Sequence, residues 1–137
     1  MIIKKILMLL IVTSFFCFAC AGKKVPMHIG ENWLASKTGT PSINIDGTWL
    51  SNDWGMIMMK FRQCDGCREI SGATTDGYTI TGVVTGEKVS LLFLYNNKII
   101  CSAVLTKQSE TELSGSYASG KLINENSKNT PLRLKRW

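Results

Sequence analysis

The sequence has a single histidine, His28, and only three prolines, Pro26, Pro41 and Pro131. One histidine excludes most hydrolase mechanisms built on a histidine base, and it excludes metal sites that need several histidines. The stretch of residues 42–130 contains no proline, the residue that most often interrupts a β-sheet. The single histidine therefore argues against a histidine-based catalytic centre. The proline-free stretch favours β-strands.

The chain has 137 residues, of which 45% are apolar and 19% charged. It is long enough for one small domain and too short for two ordinary ones. Nine of its twelve glycines lie between Gly47 and Gly120. Glycine-punctuated, proline-free sequence is typical of tight turns between strands.

Residues 1–19 have the composition of a secretory signal peptide, with Lys4 and Lys5 followed by an uninterrupted apolar run from Ile6. A retained membrane anchor is the alternative, but the apolar run of about 15 residues is shorter than the roughly 20 that span a bilayer as a helix. A leader that is removed is therefore the favoured interpretation.

The leader ends in Cys17-Phe18-Ala19-Cys20-Ala21-Gly22. This ending resembles the bacterial lipobox, in which a small residue precedes a cysteine that is lipidated and becomes the mature N-terminus. The resemblance implies a bacterial lipoprotein held at the membrane through lipid on Cys20. Because Ala21 is not the usual aspartate retention signal, it also implies the outer membrane of the cell envelope. Ordinary secretory cleavage after Ala21 is the competing interpretation.

Residues 20–42 show no sustained hydrophobic period and are predicted to form the lipidated N-terminus and a flexible linker. His28 is predicted to be a solvated linker residue. Trp33 and Leu34 are apolar, so part of the linker can pack back on the domain.

Beyond Ser42 the apolar residues recur at every second position, which is strand periodicity. The runs predict eight strands in a domain spanning residues 43–137. The dipeptides Asp65-Gly66 and Asn96-Asn97 are two-residue hairpin signals. Consecutive hairpins predict an all-β fold, an antiparallel up-and-down meander that closes into a small barrel. The predicted strands are 43–50, 54–64, 67–73, 77–84, 87–95, 98–106, 110–118 and 131–136.

The segment from Ile45 to Asn52, together with Trp54-Gly55 and Gly115-Ser116-Tyr117, resembles the avidin and lipocalin type of barrel. The resemblance implies that Trp49 closes one barrel end and that the interior is either packed or holds one small ligand. Biotin is not predicted, because Met56 stands where a serine is expected. The candidate ligand-binding residues are Trp49, Asn52, Phe61, Tyr78, Phe93 and Tyr117.

Several apolar residues fall at positions predicted to face outward. A contiguous outward apolar patch on a secreted domain usually marks a contact surface, for a partner protein or for a second copy of the chain. Two other interpretations are a register error of one residue and coverage of this face by the linker. The candidate surface residues are Met56, Met58, Leu92, Leu94, Ile100 and Val104.

Lipidation of Cys20 leaves Cys64, Cys67 and Cys101 in the mature chain. The favoured interpretation of Cys64 and Cys67 is a disulfide across a hairpin turn in an oxidising compartment. A thioredoxin-like pair needs a helix N-terminus, and a zinc site needs four ligands. Cys101 is predicted to be a buried small hydrophobe. No metal, cofactor or catalytic residue is predicted.

The net charge of +6 falls to +4 when Lys4 and Lys5 leave with the leader. The basic residues Arg133, Lys135 and Arg136 are interpreted as a solvated strand face, and no basic run is interleaved with aromatics as single-strand binding requires. Nucleic acid is therefore excluded as a partner.

The leading functional hypothesis is a non-enzymatic, lipid-anchored envelope barrel that binds a protein partner. One version is a protease inhibitor, in which the segment from Glu31 to Thr38 enters an enzyme cleft, by analogy of fold. The first alternative is a small-molecule-binding barrel. The second alternative is a thiol redox protein that uses Cys64 and Cys67.

Overall fold

The structure is a computed structural model that describes residues 24–137. The predicted signal peptide and the predicted lipidation site, Cys20, lie outside the described residues. One helix precedes eight strands. The elements are α1 (Met27–Ala35), β1 (Gly47–Ser51), β2 (Ile57–Arg62), β3 (Glu69–Thr74), β4 (Thr79–Thr85), β5 (Lys88–Tyr95), β6 (Lys98–Ser109), β7 (Glu112–Ser119) and β8 (Thr130–Arg136).

The eight strands pair with their sequence neighbours, all antiparallel, and β1 closes the barrel by pairing with β8. The predicted all-β up-and-down barrel is confirmed. The hairpin between β5 and β6 turns on Asn96 and Asn97, whose φ angles are +50° and +60°. Asparagine is one of the few residues that tolerates two successive positive φ angles, so the dipeptide fixes this turn.

The barrel has two different ends. At the mouth end lie the connections β1–β2, β3–β4, β5–β6 and β7–β8. At the closed end lie the other three hairpin turns and the segment 43–46 that leads into β1. Ile45 from that segment is buried in the core, and its carbonyl accepts a hydrogen bond of 2.9 Å from Trp49 Nε1. This segment therefore plugs the closed end.

Inward side chains fill the barrel between the closed end and the mouth. Trp49, Phe61 and Phe93 are its largest buried members, each 1% exposed. Interlocking apolar side chains of this kind leave the lower interior packed as a core. The smaller members include Met59, Leu91, Ala103, Leu105, Leu113, Leu132 and Leu134.

Helix α1 lies within the predicted flexible linker, so that prediction is wrong for residues 27–35. The helix packs on the outer wall over Leu92 and Ile99, with Leu34 only 8% exposed. A side chain at Gly30 would collide with the Ile99 side chain. The helix therefore approaches the sheet closely because glycine occupies its contact point.

Strand β6 contains a bulge opposite β5. Phe93 pairs with Cys101, whereas Leu94 pairs with Ile99, so Ile100 is the extra residue. A bulge re-aims side chains locally, and here both Ile100 and Cys101 contact the barrel interior. The bulge explains why period-two alternation placed Ile100 on the wrong face.

Candidate functional site: the barrel mouth

A cavity of about 260 Å³ opens at the mouth end of the barrel. Its lining comes from the β1–β2 and β3–β4 turns and from strands β5, β6 and β7, so distant parts of the sequence meet there. Phe93 forms its floor, and partly buried aromatic rings form its sides. The lining residues are Trp54, Asp76, Tyr78, Phe93, Ile100, Cys101, Tyr117 and Ser119.

Trp54 folds over the mouth from the β1–β2 turn. Its ring meets Phe93 at a centroid distance of 4.9 Å and Tyr117 at 5.0 Å, both edge to face. Such aromatic pairs stabilise beyond their buried area by about 0.5–1.5 kcal/mol each. Trp54 is therefore held in place by two of the rings that line the cavity.

The polar groups of the mouth lie mainly on the β3–β4 turn. Thr74 Oγ1 donates to the carboxylate of Asp76 and accepts a 3.0 Å hydrogen bond from the backbone N–H of Tyr78. These bonds fix the turn, so the Asp76 carboxylate and the Tyr78 ring are presented together at the rim. The cavity thus combines an apolar floor with one acidic group at its edge.

Ser51 is the last residue of β1 and is fully buried. Among the described residues its hydroxyl has no hydrogen-bond partner. Since Trp49 faces the interior, the period of two places Ser51 on the same inward face, one step closer to the mouth. A buried hydroxyl without a partner is costly, but Ser51 is not among the residues that line the mouth cavity, so its hydroxyl is a feature of the packed interior.

Cys101 is a free thiol and is 6% exposed. Burial raises its pKa to about 12, because the apolar surroundings disfavour the thiolate. The thiolate is the reactive form, so a raised pKa disfavours reaction of Cys101 at neutral pH. The prediction of a buried small hydrophobe is confirmed.

The structure divides the six predicted ligand-binding residues. Tyr78, Phe93 and Tyr117 line the mouth together. Trp49 and Phe61 are instead buried core residues toward the closed end, where the guanidinium of Arg136 lies over the Trp49 ring. Asn52 is exposed in the β1–β2 turn, outside the cavity.

The predicted contact surface does not exist as an exposed patch. Helix α1 covers Leu92 and Leu94, which are 0% and 7% exposed. Val104 is 6% exposed beneath Ile123 of the β7–β8 loop and the ring of Trp33. The alternative that the linker covers this face is correct.

The remaining three candidates of that surface have separate environments. Ile100 packs against the core at the mouth, as the bulge requires. Met58 is half-buried on β2, and Met56 is 67% exposed in the β1–β2 turn. Met56 therefore belongs to the rim of the mouth.

A larger depression of about 740 Å³ lies along β2 and β3 toward the closed end, and its lining includes the buried side chains of Phe61 and Ile70. Its sides carry charges of both signs from Lys60, Arg62 and Glu69, which are all exposed. Exposed charges of mixed sign are typical of a solvated face. The mouth, being concave and mostly aromatic, has the character of a ligand site.

Cys64 and Cys67 form the predicted disulfide across the β2–β3 turn, with a Cα–Cα distance of 5.3 Å. The turn joins two strands, so neither sulfur has a helix N-terminus that would activate it.

Within residues 24–137 no group of three or more His, Cys, Asp and Glu side chains is placed to hold a metal ion. In the same part of the chain, no helix is long and apolar enough to span a membrane.

Sequence reasoning missed Trp54, Asp76 and Ser119 as mouth residues. Trp54 and Asp76 lie in turns, where alternation gives no facing direction, and Ser119 ends β7. The available signal was topological, since consecutive hairpins bring alternate turns to the same barrel end.

Compared with protein-family models, with curated proteins and with solved structures, the chain matches none of them.

Proposed function

We propose that this protein is a non-enzymatic, lipid-anchored envelope protein that binds a small, mainly apolar ligand in its barrel mouth. The observation that carries the proposal is the aromatic cavity over a filled core. A volume of about 260 Å³ lies just below the usual range of ligand sites, roughly 300–1,000 Å³. The ligand is therefore compact, or it inserts only one end.

The polar groups narrow the chemistry of that ligand. Ring faces and the Ile100 side chain favour an alkyl or aromatic group on the cavity floor. Asp76 at the rim favours a cationic or hydrogen-bond-donating head. A neutral or cationic amphiphile fits this arrangement better than an anion.

The test uses N-phenyl-1-naphthylamine, a neutral aromatic fluorophore, titrated into the purified mature protein. We expect saturable binding to one site, at least tenfold weaker in Tyr117→Ala, because about 1.4 kcal/mol corresponds to a factor of ten. Trp137→Ala is the matched control, since Trp137 is 77% exposed and lies at the closed end. No saturable binding, or an equal loss in both variants, would overturn the proposal.

The lipid anchor is tested separately at Cys20. The mature protein should partition into detergent and carry the added mass of a diacylglyceryl group, whereas Cys20→Ser should be released or remain an unprocessed precursor. If Cys20→Ser is processed and fractionates like the unaltered chain, cleavage after Ala21 is the better interpretation.

The protein partner, the protease-inhibitor role and the redox role stay predictions. Helix α1 covers Leu92 and Leu94 of the surface that was predicted to bind a protein partner. Residues 31–35 of the predicted inhibitor segment belong to the same helix. A pull-down from envelope extracts tests the partner, and thiol-disulfide exchange by the mature domain tests the redox role.

A further inference from the structure

The chain enters the barrel at the mouth end. The backbone N–H of Val25 donates a 3.0 Å hydrogen bond to the carbonyl of Ile99, the second residue of β6. From Pro26 helix α1 runs along the wall toward the closed end, where Pro41 bridges Gly86 of the β4–β5 turn. The described part of the chain therefore begins beside the mouth.

The stretch of sequence between Val25 and the predicted lipid on Cys20 is short. Cys20 precedes Val25 by five residues, which span at most about 18 Å when fully extended. The eight residues of β5 span about 27 Å at a rise of 3.4 Å per residue, and the strand tilt of about 35–45° in barrels makes the wall about 20 Å tall. Lipid on Cys20 would hold the mouth end nearer the bilayer than the closed end.

The rim of the mouth, at the same end of the barrel as Val25, carries exposed apolar and aromatic side chains. Met56 is 67% exposed and Tyr95 is 53% exposed. The Tyr95 ring meets the Tyr78 ring edge to face at a centroid distance of 5.9 Å. Tyrosine and tryptophan are enriched at membrane–water interfaces, where one part of the ring is apolar and the other is wet.

The charge around the rim complements an anionic membrane. Lys24, Lys98 and Lys121 are exposed at or beside the mouth end. Of the acidic groups there, Asp53 lies 3.9 Å from the guanidinium of Arg133, and Asp76 on the rim is hydrogen-bonded, among the described residues, only to Thr74, so the three lysines outnumber the one acidic group without a basic partner. Basic residues close to an anionic leaflet are attracted to its headgroups.

We propose that the mouth rim, formed by Met56, Tyr78, Tyr95 and Lys98, is a membrane-contact surface that rests on the anionic headgroups of the bilayer holding the Cys20 lipid. The mouth then opens toward the bilayer, and the closed end points away from it. This inference rests on the lipid anchor of the proposed function and does not depend on a ligand in the mouth.

The experiment uses the lipidated protein in vesicles of phosphatidylethanolamine and phosphatidylglycerol that contain spin-labelled headgroups. A fluorophore is attached in turn at Thr79→Cys, at the mouth-end start of β4, and at Glu87→Cys, in the closed-end turn after β4. Both positions are exposed and belong to the same hairpin. We expect several-fold stronger quenching at position 79 than at position 87. Equal or reversed quenching would overturn the proposal.

A second comparison tests the rim chemistry. Tyr95→Ser combined with Lys98→Ser should weaken quenching at position 79, whereas Trp137→Ser, at the closed end, should not. Replacing phosphatidylglycerol by neutral phosphatidylcholine should act in the same direction as the rim variant. An unchanged signal in both would show that the anchor alone sets the orientation, and the contact surface would be refuted. Failure of the protein to remain with the vesicles would instead refute the lipid anchor.

Discussion

Arg136 lies across the indole of Trp49, its strand partner in the pair that closes the barrel, with the guanidinium carbon 4.4 Å from the ring centroid. The same guanidinium donates hydrogen bonds of 2.8 Å to the Asp46 carbonyl and 3.1 Å to the Asn44 carbonyl. One side chain thus ties the last strand, the first strand and the plug segment together.

The first prediction concerns this arginine. We expect Arg136→Ala to lower the free energy of unfolding by about 1–3 kcal/mol, through loss of the cation–π contact and of hydrogen bonds to the plug. Arg136→Lys keeps the charge but loses the planar guanidinium group. Its free energy of unfolding should therefore lie between those of the unaltered protein and Arg136→Ala. Chemical denaturation measures the effect, with the exposed neighbour Lys135→Ala as the control. Equal losses at 135 and 136 would contradict the assigned role.

The second prediction compares Gln63 with the disulfide beside it. The Gln63 side chain is 7% exposed, accepts from the Ile45 N–H at 2.8 Å, and donates to the Cys67 carbonyl at 2.9 Å. Gln63→Ala leaves these groups without partners and should cost about 2–4 kcal/mol. The disulfide closes so small a loop that Cys64→Ser with Cys67→Ser should cost at most about 2 kcal/mol. Denaturant midpoints that rank the two variants in the opposite order would contradict this account.

The third prediction concerns the docking of helix α1. Leu34→Ala removes an apolar contact with the wall and should speed amide hydrogen exchange over residues 27–35, while exchange in β5 and β6 stays slow at their paired amides. Such a truncation costs about 2–5 kcal/mol in a full core, and the smaller value suits a peripheral helix. Ile29→Ala is the matched control, because Ile29 is 43% exposed on the same helix. Exchange that rises across the whole barrel would show that the helix and barrel unfold together.

The barrel was predictable because most strands bury only one face, so their apolar residues recur at every second position; β5, which is buried on both faces, is an exception. The β5–β6 turn was also predictable, because Asn96 and Asn97 belong to the few residue types that tolerate positive φ angles. Helix α1 was missed because nine residues with only one strongly apolar stripe resemble a linker until the wall they cover is known. Its partner residues Leu92 and Leu94 were visible in the sequence as an unexplained outward patch.

The mouth was only partly predictable. Tyr78, Phe93 and Tyr117 follow from alternation, whereas Ile100 is turned inward by a bulge that no local residue pattern announces. Arg136 was interpreted as a solvated residue because its three-residue basic cluster has no local partner. Its partner, Trp49, lies more than 80 residues away, and only the closure of the barrel brings them together.

The fourth prediction concerns Ser51. Because its hydroxyl is buried with no partner among the described residues, Ser51→Ala should leave the ligand-free protein equally stable or stabilise it by about 1 kcal/mol. Because Ser51 does not line the mouth cavity, the same variant should bind a mouth ligand as well as the unaltered protein does. Thermal unfolding without and with N-phenyl-1-naphthylamine and its amine-bearing analogues separates the two effects. A clear loss of stability in the ligand-free variant would show that Ser51 has a partner.

The last prediction is the pH dependence that Cys101 gives to stability. Its pKa is raised from 9.0 to about 12 by burial, so the folded state keeps the proton over a range in which the unfolded state loses it. Below pH 9 the thiol is neutral in both states and the contribution is constant. Between pH 9 and about 12 the unfolded state is favoured by deprotonation, and stability falls by up to about 1.4 kcal/mol per pH unit.

Tyrosine and lysine side chains also titrate in that range, so the measured quantity is the difference in unfolding free energy between the unaltered protein and Cys101→Ala. We expect this difference to be constant from pH 7 to 8.5 and to shift against the unaltered protein as the pH rises further, because only its unfolded state gains the thiolate. Native Cys101 should also resist alkylation by iodoacetamide at pH 8, whereas the denatured chain should react at once. A difference that does not change with pH, together with rapid alkylation of the native protein, would show that Cys101 is open to solvent through the mouth.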